Sequence, residues 1–246
     1  MAPYIKYNQP TMSTMIQRYE QFDPSTVVLS NMKKNKNGGK TVYINAQDNK
    51  KLYLQLPFMR SPFGLSAFTD EATNKTSYSL DLSFDTDNEE AISLMNKLTQ
   101  LDQTIIETVA KNSKDWLGKA YNIDVIREAL YKPLVRPGKD AYPSTLKLKV
   151  MTKPTGEFLA EAYDVQQKSM TVDSIEKSQR CMCIVDFNQI WFIDNKFGVS
   201  VRLSQVLCEK SQKLPSFAFQ GVAGVSGSGS EDDASADDEE DCEIDE

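Results

Sequence analysis

The sequence predicts a mainly β (α+β) fold: a partly open, five-stranded β-barrel with embellishments, one inserted long helix and a disordered acidic C-terminal tail. Three observations carry this reading. Short apolar runs of period two recur between about residues 27 and 207, separated by Gly, Pro and Asn turn signals. One stretch, residues 88–112, changes to helical spacing. The last 16 residues, Glu231 to Glu246, hold 11 carboxylates and no Lys or Arg. A block of like charge has nothing to bury and is expected to stay solvated.

Residues 1–24 read as an N-terminal arm, punctuated by Pro3, Pro10 and Pro24. The run Val27 to Met32 follows, then the turn signal of residues 35–39, where Asn37-Gly38 favours a tight hairpin. Thr41 to Asn45 alternates, with Val42 and Ile44 on one side and Tyr43 on the other. Lys50 to Leu56 alternates more clearly: Leu52, Leu54 and Leu56 inward, Lys51, Tyr53 and Gln55 outward. Pro57 to Ala67 reads as a loop, and Thr76 to Phe84 as a strand with Tyr78, Leu80, Leu82 and Phe84 inward. In the helical stretch, apolar residues fall at 91, 94, 95, 98, 101, 105 and 109, behind an Asp87 or Asn88 start. A shorter helix is expected over Ile123–Tyr131, closing an insertion of about 88–131, and a basic loop over Lys132–Lys139. Strands resume at 144–150, 158–163, 180–187, 189–194 and 199–207, for about eight or nine in all. The domain therefore spans residues 25–220, and residues 221–246 form a flexible Gly/Ser-rich leash and acidic tail.

Charge is divided unevenly. The whole chain has 28 basic and 35 acidic residues, so the body without its tail is slightly basic. Histidine is absent, which removes Ser–His and Cys–His catalysis and the commonest metal ligand. The four cysteines, at 181, 183, 208 and 242, make no disulfide framework and fit a reducing compartment. Neither a metal nor a cofactor is expected. No stretch of 18 apolar residues or signal peptide is seen, so an intracellular protein with no membrane partner is expected. Asn37-Gly38-Gly39-Lys40-Thr41 lacks the spacing of a phosphate-binding loop. The acids at 85–90 suit a helix N-terminus better than a calcium loop. No general-base constellation emerges, so a non-enzymatic role is expected.

The outward residues of the strands mix cations with aromatic rings: Tyr43, Lys51, Tyr53, Lys147 and Lys149. Flanking segments add Lys33, Lys34, Lys36 and Lys40; Phe58, Arg60 and Phe63; and Lys132, Arg136, Lys139 and Tyr142. Single-stranded nucleic acid asks for this mixture, because cations follow phosphates while aromatic faces accept bases, each stack worth about 1–3 kcal/mol. Lys33, Lys34, Lys36, Arg60, Arg136, Lys147 and Lys149 are the candidate phosphate contacts and Tyr43, Tyr53, Phe58, Phe63 and Tyr142 the candidate stacking platforms, with Lys40, Lys51 and Lys139 completing the candidate nucleic-acid-binding set. A tethered polyanion beside them mimics nucleic acid. It competes for the cationic groove or reaches a partner's basic patch.

Three stretches together resemble a known family: residues 54–64, residues 142–150, and Ile190-Trp191-Phe192-Ile193-Asp194 with residues 196–206. They are similar to the single-stranded-DNA-binding proteins of nucleo-cytoplasmic large DNA viruses. Those are relatives of the acidic-tailed single-stranded-DNA-binding protein of the T-odd phages, which has an oligonucleotide/oligosaccharide-binding (OB) fold. The resemblance covers most of residues 26–209. It implies a protein that coats single-stranded DNA in viral replication, recombination or repair. It also implies a tail that competes with DNA and recruits a polymerase, helicase or primase. The tail residues that this assigns to partner binding are Asp237, Asp238, Glu239, Glu240, Asp241, Glu243, Ile244, Asp245 and Glu246. The phage tail ends in an aromatic residue whereas this one ends Cys242-Glu243-Ile244-Asp245-Glu246, so a mainly electrostatic contact is expected. The role of the long helix stays open between supporting the sheet and mediating a homodimer. The expected compartment is a cytoplasmic viral factory or the nucleus. The rival reading is an acidic-tailed interaction module of histone-chaperone type.

Overall fold

The computed structural model describes residues 16–34, 38–210 and Phe219. Lys36, residues 1–15 and the whole acidic tail therefore lie outside the described residues.

Fourteen strands and one long helix make up the described chain. The first four strands are β1 (Ile16–Arg18), β2 (Val28–Leu29), β3 (Lys33–Lys34) and β4 (Lys40–Asn45). Then come β5 (Leu52–Ser61), β6 (Leu65–Asp70) and β7 (Lys75–Ser83). Helices α1 (Glu89–Lys111), α2 (Ser113–Leu117) and α3 (Ile123–Val125) follow, the last running into a π turn at Ile126–Leu130. Strands β8 (Tyr131–Lys132), β9 (Val135–Arg136) and β10 (Thr145–Val150) lead to β11 (Glu161–Asp164) and β12 (Ser169–Met170). Two long strands end the body, β13 (Gln179–Ile193) and β14 (Lys196–Cys208).

Five strands close a ring. β5 pairs β7, β7 pairs β10, β10 pairs β14 in parallel, β14 pairs β13, and β13 returns to β5. Numbered along the chain as one to five, the ring order is 1-2-3-5-4, the connectivity of an OB-fold barrel. Two joints are minimal, Arg60↔Ser83 between β5 and β7 and Lys149↔Arg202 between β10 and β14, so the barrel is partly open. Alternation fills its interior: Leu52 and Leu54, Leu80 and Leu82, Leu146 and Leu148, Val185 and Phe187, Val201 and Leu203 are all buried.

Helix α1 is inserted between the second and third ring strands. The Asn88 side chain accepts from Ala91 N at 3.1 Å, so it is the N-cap, and it also donates to Phe58 O at 2.8 Å. Leu94, Leu98, Leu101, Ile105 and Val109 on one stripe are buried in the main core, so the apolar face of the helix supports the barrel. No helix among the described residues is long and apolar enough to cross a membrane.

Four local expectations are corrected. Residues 16–24, expected within an arm, carry β1, paired with β5, and bury Tyr19 and Phe22 in the core. The loop expected from Pro57 is mostly strand, because β5 continues to Ser61 and β6 begins at Leu65. Pro57 interrupted the period-two reading, yet the strand tolerates it. The basic loop at Lys132–Lys139 contains β8 and β9, two-residue strands too short to leave a periodic signal. The strands expected at 180–187 and 189–194 are a single one, β13, whose register shifts at Ile184/Val185 and Phe187/Gln189 break the alternation.

Cys181, Cys183 and Cys208 are buried as free thiols, with Cys181 Sγ 3.6 Å from Cys208 Sγ. Asp102 of α1 is also buried. It accepts from the Tyr131 hydroxyl and from Leu134 N at 3.1 Å, tying the helix to the β8–β9 segment. Burial raises its carboxyl to about 6, although these hydrogen bonds oppose the rise.

Candidate nucleic-acid interface

The outer face of the ring is organised by register. One row of laterally paired residues crosses five strands: Ser79 on β7, Lys149 on β10, Arg202 on β14, Asp186 on β13 and Tyr53 on β5. Directly paired residues project on the same face of a sheet, so these side chains are neighbours by construction. A second row joins Ser200 on β14, Gln189 on β13 and Tyr43 on β4. Between them the two rows gather Tyr43 and Tyr53, from consecutive strands, with Lys149, about a hundred residues further along the chain.

A cleft of about 520 Å³ opens on this face. Its cations are Arg136, Lys147, Lys149 and Arg202, and its apolar walls include Phe68, Tyr78, Trp191 and Ile193. Phe68 is 69% exposed on the β6–β7 ribbon, and Trp191 is half-buried on β13. Gly198, the cross-strand partner of Trp191, makes room for the indole: a Cβ there would lie 2.9 Å from Trp191 Cζ2. Among the described residues none of the four cations takes part in an ion pair. The Arg202 Nε is buried without a hydrogen-bond partner. An unsatisfied guanidinium nitrogen is costly in that position unless a ligand completes it.

The expected site residues divide into three groups. Arg136, Lys147 and Lys149 line the cleft itself. Tyr53 and exposed Lys51 adjoin it through Asp186, and Tyr43 adjoins it through Gln189, with Lys33 Nζ 5.0 Å from the Tyr43 ring centroid. Lys34 is exposed beside Lys33 on β3.

The third group lies elsewhere or is already engaged. Phe58 and Arg60 sit toward the far end of β5, and Arg60 is held by Asp85 in a two-point pair, Nε to Oδ2 at 2.9 Å and Nη2 to Oδ1 at 2.6 Å. Burial raises the Asp85 carboxyl, but the hydrogen bonds from Arg60 and Ser83 prevail and hold it below its ordinary value. Lys40 donates to Trp116 O at 2.9 Å. Phe63, Lys139 and Tyr142 are exposed, with Tyr142 at 77%, but do not line the cleft.

Arg202, Trp191, Phe68 and Ile193 were not singled out from the sequence. Three of them were within its reach. Val201 and Leu203 are buried, as are Ile190 and Phe192, so the parity that turns Lys147 and Lys149 outward also turns out Arg202, Trp191 and Ile193. Phe68 gives no such signal, because the distal ribbon is exposed on both faces.

A model of the Family of unknown function (DUF5871) matches residues 76–220. No curated protein matches the chain. Among solved structures the chain is similar to the "Single-stranded DNA-binding protein from bacteriophage Enc34 in complex with ssDNA". The two are 11% identical over 75% of this chain and 97% of that one, with a TM-score of 0.40. It is also similar to gp2.5, a single-stranded DNA binding protein encoded by bacteriophage T7. Here the identity is 12% over 65% of this chain and 93% of that one, with a TM-score of 0.43.

Proposed function

We propose that this chain, which belongs to the Family of unknown function (DUF5871), binds single-stranded DNA with little sequence preference and catalyses no reaction. The observation that carries the reading is the cleft. Arg136, Lys147, Lys149 and Arg202 stand in it with no ion-pair partner among the described residues, beside the rings of Trp191 and Phe68. Phosphates neutralise the cations, and bases stack on the rings. The strand continues over Tyr53 and Lys51, and over Tyr43 and Lys33. Crossing sheet strands at about 4.8 Å spacing, this face accommodates a few nucleotides. Phe63, Tyr142 and Lys139 serve only as outlying contacts.

The acidic tail competes with DNA for this face, because a tethered polyanion acts at high effective concentration. The same tail offers Asp237, Asp238, Glu239, Glu240, Asp241, Glu243, Ile244, Asp245 and Glu246 to replication proteins. In this reading the chain serves DNA replication, recombination or repair in the manner of large-DNA-virus proteins.

Titration of a fluorescent oligo-dT of about 30 nucleotides tests the proposal. Binding should weaken with salt, with a log–log slope of about −0.7 per phosphate neutralised. A chain ending at Val225 should bind more tightly than the full chain. If neither bound at low salt, the cleft would not be a nucleic-acid site, and basic protein partners of the tail would become the better reading.

A further inference from the structure

Two carboxylates stand among the cations of the outer face, where a polyanion has to approach. Asp186 lies in the row between Arg202 on β14 and Tyr53 on β5, and it is only 6% exposed. The charged groups that face it are Lys51, immediately before β5, and Arg202 from β14. Asp81 on β7 is the direct partner of Lys147 on β10, and Arg136 on β9 faces it as well. Neither carboxylate accepts a hydrogen bond or stands within ion-pair distance of a cation among the described residues. Asp85, by contrast, is gripped by Arg60 and Ser83.

Carboxylates so placed are the internal counter-anions of the face. They lower its positive potential without occupying the donors of Arg202, Lys147 or Lys149. Burial makes each of them harder to ionise than an ordinary aspartate, and the neighbouring cations offset this only in part. A phosphate docked on Arg202, Lys149 or Lys147 adds a negative charge beside them, which penalises the ionised carboxylates further.

We propose that Asp186 and Asp81 are proton-coupled counter-anions of this face, so that docking of a phosphate backbone is accompanied by proton uptake at these carboxylates. The proposal rests on the single-strand reading and adds its regulation. The sign follows from linkage. The complex holds more protons than the free protein over the interval between the free and bound ionisation ranges, so affinity rises as pH falls through that interval. Each proton taken up steepens the dependence by up to about tenfold per pH unit.

The test uses the full chain and oligo-dT, whose bases do not titrate in mildly acidic solution. Affinity is measured at constant ionic strength from mildly acidic to mildly alkaline pH for the wild type and for Asp81→Asn/Asp186→Asn. Calorimetry of the wild type in two buffers of different ionisation enthalpy counts the protons taken up on binding. The expected result is net uptake by the wild type. The double variant should bind several-fold tighter at alkaline pH and follow a flatter profile that meets the wild-type curve in acid. All other carboxylates are shared by the two proteins, so the difference between profiles belongs to these two. A merely structural role would shift the melting temperature and leave the profiles parallel. Parallel profiles with binding intact would overturn this proposal alone. No binding by the wild type at any pH would overturn the single-strand reading and this proposal with it.

Discussion

The two ends of the barrel's outer surface use the same kinds of residue differently. At one end Arg136, Lys147, Lys149 and Arg202 line a cleft and have no ion-pair partner among the described residues. At the other, Arg60 is clamped by Asp85, and Arg180 lies 3.8 Å from Glu209 and 5.9 Å from the ring centroid of Phe58. There the neighbouring hollow, of about 480 Å³, is lined by Met182, Ile184 and Leu207, with Gln55 and Gln205 at its sides. An Arg beside a Phe is thus no guide to function by itself. What separates the ends is whether the charge is already satisfied by the protein. A paired guanidinium has to break a bond to meet a phosphate, and an unpaired one does not.

The largest break in this contrast should come from the cleft cations. Lys149→Ala/Arg202→Ala should weaken oligo-dT binding on the order of a hundredfold. It should also flatten the log–log salt slope by about 1.4, which is two phosphate contacts. A loss of affinity with an unchanged slope would mean that these residues do not meet phosphate. The aromatic wall comes next. Trp191→Ala should cost about 1–3 kcal/mol of binding, while Trp191→Phe should keep most of it. Gly198→Ala, which crowds the indole, should share part of the loss and so report on how Trp191 is held.

The opposite end should behave in the converse way. Arg60→Ala breaks a partly exposed two-point pair and should lower stability by about 2 kcal/mol while leaving oligo-dT affinity within about twofold. A large loss of affinity from Arg60→Ala would erase the distinction between the ends.

A further effect lies away from both, at Asp102. Its carboxyl titrates at about 6 in the fold, against an ordinary value of 3.8. A raised carboxyl is favoured when protonated, so this contribution is present below about pH 4 and is lost as pH rises through about 6. Asp102→Asn keeps an acceptor for Tyr131 and Leu134 and removes the titration. Chemical denaturation at several pH values should show the variant gaining on the wild type between pH 4 and pH 7, by at most about 3 kcal/mol. A constant difference between the two would place the pH sensitivity elsewhere.

Local alternation was strong enough to be read without a structure. Leu146, Leu148 and Val150 against Lys147 and Lys149 need no tertiary context, because a two-residue period has only one way to face a core. The same holds for α1, where one apolar stripe and the Asn88 cap define the helix from end to end. The reading failed where one element continued through a disturbance. Pro57 hid the second half of β5, and the register shifts of β13 split one strand into two. At Phe58 and Arg60 this placed real strand residues in an imagined loop.

The sequence by itself therefore determined which residues face outward on each strand and how charge divides between a basic body and an acidic tail. Both follow from period and composition, which are local properties of the chain. Only the tertiary structure decided which outward residues meet. Lys149, Arg202, Asp186 and Tyr53 become neighbours through pairings between residues 16, 53 and 133 positions apart in the chain, and no local rule contains that register. It also decided which cations are available, because Arg60 finds Asp85 across a turn of the sheet while Arg202 finds no ion-pair partner among the described residues. Pairing is a matter of distance in space, and closure of the barrel sets those distances.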